Sequence, residues 1–487
     1  MVEEGHIMIP RPKEIRLTEG TAVQGTAVKE RVCKELKQEE YHISIASDEI
    51  RLEGGGKTAL FYARTVLEQL RLIYWEELPC MEIRDWPSYP YRSFQIDCSR
   101  HFFTVDELKK MIRMSAVFRL NRFHWHISDD QGWRIECRRY PKLHEISSVR
   151  AGDHFGNYDS DQPEGGYYSR EDVAEIVDYC GSLGIEVVPE IDMPGHVTAI
   201  LAAYPELSCT GGPVEVGMRA GIFKELFCAG KEETFTFIQN LLDDMLELFP
   251  GKYFHIGGDE APKERWKACP DCQRRIKEEG LKDARELQGY MCNRIASYLR
   301  SKGRIPIVWN EAVYGGNIDK EVVVQLWTED KDDQIKAHLD RGGRAILSMV
   351  EHCYCDYPYG MHSLKDMYDI DMSPKELGEE REGSILGAEC LVWTEFIRSD
   401  ARLEEMCWPR FAALAQAVWC GEERPEYEDF RSRLTALFPI FEKYGIRAVK
   451  KEGWDPDERM AAEQTAEFQM NFSEEEREEA RRAQEDI

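Results

Sequence analysis

The chain has 487 residues, 42% of them apolar, which is more than one average domain and suits a single barrel with an accessory domain. Its 63 basic and 91 acidic residues leave a formal charge of −28, which argues against nucleic acid and anionic membrane surfaces as partners. No apolar run approaches the ~20 residues that span a bilayer. The opening Met1-Val2-Glu3-Glu4 has neither the basic nor the apolar region of an export signal. With fifteen scattered cysteines, this predicts reduced thiols in the cytoplasm.

In chain order, residues 1–87 read as a small α/β domain. Tyr41-His42-Ile43-Ser44-Ile45 alternates like a strand, with Glu49-Ile50-Arg51-Leu52 as its hairpin mate. Gly54-Gly55-Gly56 then leads into an amphipathic helix over 58–72, with Leu60, Ala63, Val66, Leu67 and Leu70 on one side. Asp85-Trp86-Pro87 marks the junction. From 88 to 455, strand-like runs at 92–98, 122–127, 184–191, 252–257, 304–309, 321–327, 344–351 and 385–393 alternate with helix-like runs. The helix-like runs lie at 104–118, 170–182, 233–249, 284–302, 331–341 and 403–419. Eight such alternations predict a (β/α)₈ TIM barrel rather than a doubly wound sheet. The long connection 130–170 has the composition of a functional loop. Residues 456–487 form an acidic tail, helical or disordered, that includes Glu474-Glu475-Glu476 and Glu478-Glu479.

The block with the most chemistry is His255-Ile256-Gly257-Gly258-Asp259-Glu260. An apolar strand ends in two glycines, which allow a sharp turn, and then in two carboxylates. Acids at the end of a buried strand are costly unless paired or used. Strand alternation points neighbouring side chains to opposite faces, so the pair reads as two carboxylates with separate roles. Barrel active sites form at the carboxyl ends of strands. Polar or aromatic groups gather there after every predicted strand, while the strand bodies read as apolar. They are Asp97 and Arg100; Asp129; Glu190, Asp192 and His196; Asp259 and Glu260; Trp309, Asn310 and Glu311; Trp327; Tyr354 and Asp356; Trp393 and Glu395. Several indoles with carboxylates and an arginine suit a sugar, whose apolar C–H faces stack on flat rings.

Four blocks carry a resemblance. They are Arg100-His101-Phe102-Phe103, His124-Trp125-His126-Ile127-Ser128-Asp129-Asp130-Gln131-Gly132-Trp133-Arg134, Pro189-Glu190-Ile191-Asp192-Met193-Pro194-Gly195-His196 and His255 to Glu260. In this order, with the later Trp393-Thr394-Glu395, they resemble family 20 glycoside hydrolases, the β-N-acetylhexosaminidases. The likeness is strong over 88–425 and weaker over the first domain.

The resemblance implies an exo-acting, retaining hydrolase of terminal β-linked GlcNAc or GalNAc. It would work by substrate assistance, an exception to the usual pair of protein carboxylates. It implies Glu260 as acid and then base, Asp259 as acceptor for the acetamido N–H, and Tyr354 as the group that holds the acetamido carbonyl. It further implies Asp129 and His196 as support for the acid. Trp309, Trp327 and Trp393 would wall the sugar, and Arg100, Glu395 and Asp356 would bind its outer hydroxyls. Val197, Asn310 and Cys355 depart from the usual pattern without removing a catalytic group. No cofactor is implied, and family members often pair as homodimers. A non-catalytic amino-sugar-binding protein on the same fold is the alternative. The choice between GlcNAc and GalNAc stays open.

Two motifs raise a metal. His124-x-His126 places both imidazoles on one strand face, yet in the family this motif serves the barrel without metal. Cys269-Pro270-Asp271-Cys272 supplies half a zinc site, but no second pair at a suitable spacing is evident. The expectation is therefore free thiols and no metal.

Overall fold

The computed structural model describes residues 7–328, 333–373, 377–473, 477, 478 and 481. The opening Met1 to Glu4, the acidic run 474–476 and the start of the predicted helix 331–341 lie outside the described residues.

The first domain is a five-stranded sheet of Glu14–Val23, Ala27–Val32, Tyr41–Ile45, Glu49–Gly54 and Glu77–Asp85. In sheet order these strands run first, fifth, third, fourth, second. All pairs are antiparallel except the fourth with the second. Helix Lys57–Ile73 buries the predicted face, Leu60, Ala63, Val66, Leu67 and Leu70, in one apolar cluster with Ile43, Ile50 and Met81. Trp419 of the following domain joins that cluster. At the junction Asp85 is fully buried, 2.7 Å from Arg119 and accepting from the Trp419 indole at 3.0 Å. The two domains are thus joined by a paired charge as well as by apolar packing.

Eight parallel strands close the barrel: Tyr91–Asp97, Arg122–His126, Glu186–Glu190, Tyr253–His255, Ile305–Trp309, Val323–Leu326, Arg344–Leu347 and Ile385–Cys390. Each pairs with its chain neighbours, and the eighth closes onto the first. Three expectations are corrected. The seventh strand ends at Leu347, and Val350–Cys353 is helical. The run 403–419 is two helices, Asp400–Cys407 and Arg410–Cys420, separated at Pro409 because a helix interior cannot carry proline.

The third concerns the strand bodies, which are not uniformly apolar. Tyr91, Val188, Ile307, Val323 and Ile346 fill one part of the interior. Gln95, His124, Glu190, His255, Gln325 and Glu389 fill another, and none has exposed surface. Several of them bond one another, and Gln95 accepts from the Val392 N–H at 3.0 Å. The Gln325 amide donates to Glu389 at 2.7 Å, His124 lies 2.7 Å from the same oxygen, and the Trp309 indole donates to Glu190 at 2.8 Å.

Candidate active site

The fourth strand stops at His255, and the chain then bends at every step that matters. Gly257 and Gly258 have φ of +68° and +106°, and Glu260 itself sits at +40°. A side chain at Gly257 would run into the Asp192 carboxylate, 1.5 Å away, so the backbone passes where only glycine fits. The Gly258 N–H donates to the same carboxylate at 3.1 Å. This bend overrides strand alternation and turns Asp259 and Glu260 into one cavity. Left-handed φ at Glu260 and at His196 (+52°) stores strain, which clusters at functional sites.

The cavity holds about 340 Å³ at the carboxyl ends of the strands. Arg100, Asp259, Glu260, Trp309, Trp327, Tyr354, Asp356, Trp393 and Glu395 all line it. Nine of the eleven predicted site residues therefore share one wall. The other two, Asp129 and His196, stand behind it. His196 Nδ1 lies 3.1 Å from both Asp129 and Asp130. Its Nε2 faces the pair, 3.8 Å from Asp259 and 3.6 Å from Glu260. Burial alone would depress His196, but the Asp129 charge and its hydrogen bonds raise it well above the ordinary imidazole value. An imidazolium thus stands between two carboxylate groups. Burial would also raise Asp129, yet Arg100 and His196 hold it far below the usual range.

The cavity carboxyls behave differently. Burial pushes Asp259 up to about 6 despite the His196 charge and a side-chain hydrogen bond with Asp192, and its Oδ1 is buried without a hydrogen-bond partner. Asp192 beside it is driven well above the usual range, by burial first and by the Asp259 charge second. Asp356 is pushed up to about 8, by burial and then by Glu395, and its Oδ1 also has no partner. Burial and the Asp356 charge keep the Tyr354 hydroxyl protonated, so it is a donor. Arg100 is held 2.8 Å from Asp129 and 3.8 Å from Glu395, with its guanidinium over the Trp393 ring.

Several contributors had no role assigned from the sequence. Glu311 accepts from the Trp327 indole at 2.7 Å and is pushed up to about 8, by burial and then by the Asp259 charge. Asn310, read as a strand-end group and as a departure from the usual pattern, accepts from the Trp327 backbone at 3.0 Å and so orients that wall. Phe468 and Phe472 of the tail, with Tyr357 and Phe396, complete the apolar lining. The signal for Glu311 was its place after Trp309; nothing local marks the tail phenylalanines.

His124, Glu190 and His255 come together in metal-like geometry; Glu190 accepts from the Trp309 indole and His124 Nδ1 bonds Glu389, while Nε2 of each histidine is buried without a hydrogen-bond partner. Cys269 and Cys272 meet two further cysteines, Cys209 and Cys228, which are remote in sequence and are brought there by folding.

Residues 89–422 match the model of glycosyl hydrolase family 20, catalytic domain, and residues 7–86 that of glycosyl hydrolase family 20, domain 2. The chain belongs to glycosyl hydrolase family 20. A β-hexosaminidase of Porphyromonas gingivalis is 34% identical over 430 residues, 84% of this chain and 54% of that protein. This chain thus spans about half the length of that relative. One of Akkermansia muciniphila is 33% identical over 442 residues, 88% of each. The crystal structure of the β-N-acetylhexosaminidase from Bacteroides fragilis is 30% identical, with a TM-score of 0.81 over 93% of this chain and 99% of that one. Family membership agrees with the barrel, the small preceding domain and the cavity at the strand ends. No helix among the described residues is long and apolar enough to cross a membrane.

Proposed function

We propose that the chain is an exo-acting, retaining β-N-acetylhexosaminidase that uses the substrate's own acetamido group as nucleophile. The observation that carries this is Asp259 Oδ1, buried, without a partner, and on the wall of a cavity that Trp309, Trp327, Tyr354 and Trp393 also line. A buried acceptor without a donor costs stability unless a ligand supplies one, and an acetamido N–H is such a donor.

In the first step Glu260 gives its proton to the glycosidic oxygen as the C1–O bond breaks. The acetamido carbonyl oxygen bonds to C1 from the opposite face, which forms an oxazolinium ion. Positive charge grows on the acetamido nitrogen, and Asp259 stabilises it in a site shielded from water. The Tyr354 hydroxyl donates to the carbonyl oxygen and holds it beneath C1, while the indoles restrict the sugar to that attack geometry. In the second step water attacks C1, its proton passes to Glu260, and the C1–O bond to the acetamido oxygen breaks. Two inversions leave the β configuration. Arg100, Glu395 and Asp356 bind the outer hydroxyls, and His196 with Asp129 orients and polarises the acid pair.

Terminal β-linked GlcNAc and GalNAc both meet these demands, since they differ only at O4. The reducing interior suggested by fifteen cysteines, none in a disulfide among the described residues, supports a cytoplasmic enzyme. The test compares an aryl β-N-acetylglucosaminide with the aryl β-glucoside, following the first-formed anomer by NMR. The reading expects β-GlcNAc first and almost no turnover of the glucoside, which lacks the nucleophile. Equal rates on the two, or an α product, would refute it. Binding of the acetamido sugar without hydrolysis would instead support the non-catalytic alternative.

A further inference from the structure

Two connections on the active-site side of the barrel cross, and four cysteines meet at the crossing. The connection after the third strand supplies Cys209 and Cys228. Its two arms are bridged at Ser208 and Phe227, and the Cys228 N–H donates to Leu207 at 2.8 Å. The connection after the fourth strand supplies Cys269, which caps helix Pro270–Glu278, and Cys272 on that helix's first turn. The backbones are almost in contact, because a Cβ at Gly230 would lie 2.2 Å from the Asp271 carbonyl carbon.

The four sulfurs lie within 4.8 Å of one another, with three of them buried and Cys209 half-buried. Three separations are 3.6 Å (Cys228 to Cys272), 3.7 Å (Cys228 to Cys269) and 3.8 Å (Cys209 to Cys272). A disulfide requires sulfurs about 2.0 Å apart. A tetrahedron with metal–sulfur bonds of about 2.3 Å has edges of about 3.8 Å. The hole at its centre is too small for water and suits one small cation. Among the described residues no other group of cysteines converges in this way.

We propose that Cys209, Cys228, Cys269 and Cys272 bind one structural Zn²⁺ as a closed four-thiolate site. Four thiolates with no open position give the metal no catalytic role. The ion clips the third connection, which supplies Gly221 and Ile222 to the cavity wall, to the fourth, which carries Asp259 and Glu260. The stretch 211–226 between the two arms has neither helix nor strand, so the clip supplies order that local hydrogen bonding does not. Zinc binding would displace thiol protons and couple to folding of this region.

The test is metal analysis of untagged full-length protein, purified without added metal or chelator. The expected result is about one zinc per chain, four thiols that react only after a mercurial displaces the metal, and faster proteolytic cleavage within 211–226 once it is gone. Cys269→Ser/Cys272→Ser should lose the zinc, and if that variant does not fold, the wild-type metal and thiol counts still decide. Wild-type protein without zinc, with these four thiols freely reactive or paired as disulfides, would overturn the proposal. So would iron in place of zinc, or zinc retained by the folded double variant.

Discussion

Glu190 and Asp259 are both carboxylates near the carboxyl ends of neighbouring strands, and their surroundings are opposite. Glu190 lies inside the barrel with its lone pairs taken. It bonds the His126 imidazole, accepts from the Trp309 indole at 2.8 Å, and has His255 and His124 nitrogens 2.9 and 3.1 Å away. Burial would raise it, but three imidazoles hold it well below the ordinary range. Asp259 keeps one oxygen buried and without a partner and is pushed up to about 6. Burial is common to both, so what separates architecture from chemistry is whether the hydrogen-bonding capacity is already spent. A saturated carboxylate holds the barrel together, whereas one with spare capacity in a cavity is set for a ligand.

The comparison predicts that the two regions fail differently when cut. At the mouth, Glu260→Gln should lower kcat by roughly 10²–10⁴-fold on a disaccharide, because the leaving oxygen must be protonated. Its urea midpoint should stay close to that of the parent. A variant with near-normal disaccharide turnover would remove Glu260 as the acid. Inside the barrel, Glu190→Ala should cost about 3–5 kcal/mol of stability, since it strands buried imidazoles that had a counter-charge. Urea unfolding measures this, and a variant as stable as the parent would show that the polar layer is not what holds the barrel interior.

The same contrast explains what the sequence disclosed. Strand ends were legible because Trp309, Asp259 and Glu395 interrupt apolar runs at the one edge where a barrel gathers function. The polar layer was not. His124 and Glu190 look alike whether they face a ligand or each other, and only strand register, which sets Glu190 against His126 and His255, decides. Of the first two strands of the small domain, Ala27–Val32 is wholly exposed and shows no alternation, whereas Glu14-Ile15-Arg16-Leu17 alternates as Glu49-Ile50-Arg51-Leu52 does and carried a legible signal. Phe468 and the pair Cys209 and Cys228 reach their places through long-range packing, for which local pattern holds no signal.

A finer cut at the mouth is Tyr354→Phe, which removes a single donor and leaves the ring between Trp327 and Trp393. A hydrogen bond to a developing charge of this kind is worth roughly 1.5–3 kcal/mol, or about ten- to a hundredfold in kcat. The loss should appear in kcat more than in KM, because the acetamido carbonyl gains its charge demand only in the transition state. An equal effect on KM alone would make Tyr354 a ground-state contact.

The smallest expected effect is in pH dependence, and it sharpens the comparison at Asp356. This carboxyl is pushed up to about 8, with Glu395 as its charged neighbour. Below that value it is neutral and can donate to a sugar hydroxyl. Above it, it carries a charge beside Glu395 in a cavity shielded from water. KM for the aryl glycoside should therefore rise roughly two- to tenfold as pH passes through about 8, the worth of one neutral hydrogen bond. The rise should vanish in Asp356→Asn. Glu311 is also pushed up to about 8 and could mimic this limb, so Glu311→Gln is the control and should retain it. The sign for stability follows from proton counts. Between the ordinary carboxylate range and about 8 the folded state binds more protons than the unfolded state, so stability falls as pH rises across that window. Asp356→Asn should fall less, and its advantage in Tm over the parent should widen from pH 5 to pH 8. A gap that stays constant with pH would mean that Asp356 is already charged in the folded protein, and that its carboxylate belongs with Glu190 rather than with Asp259.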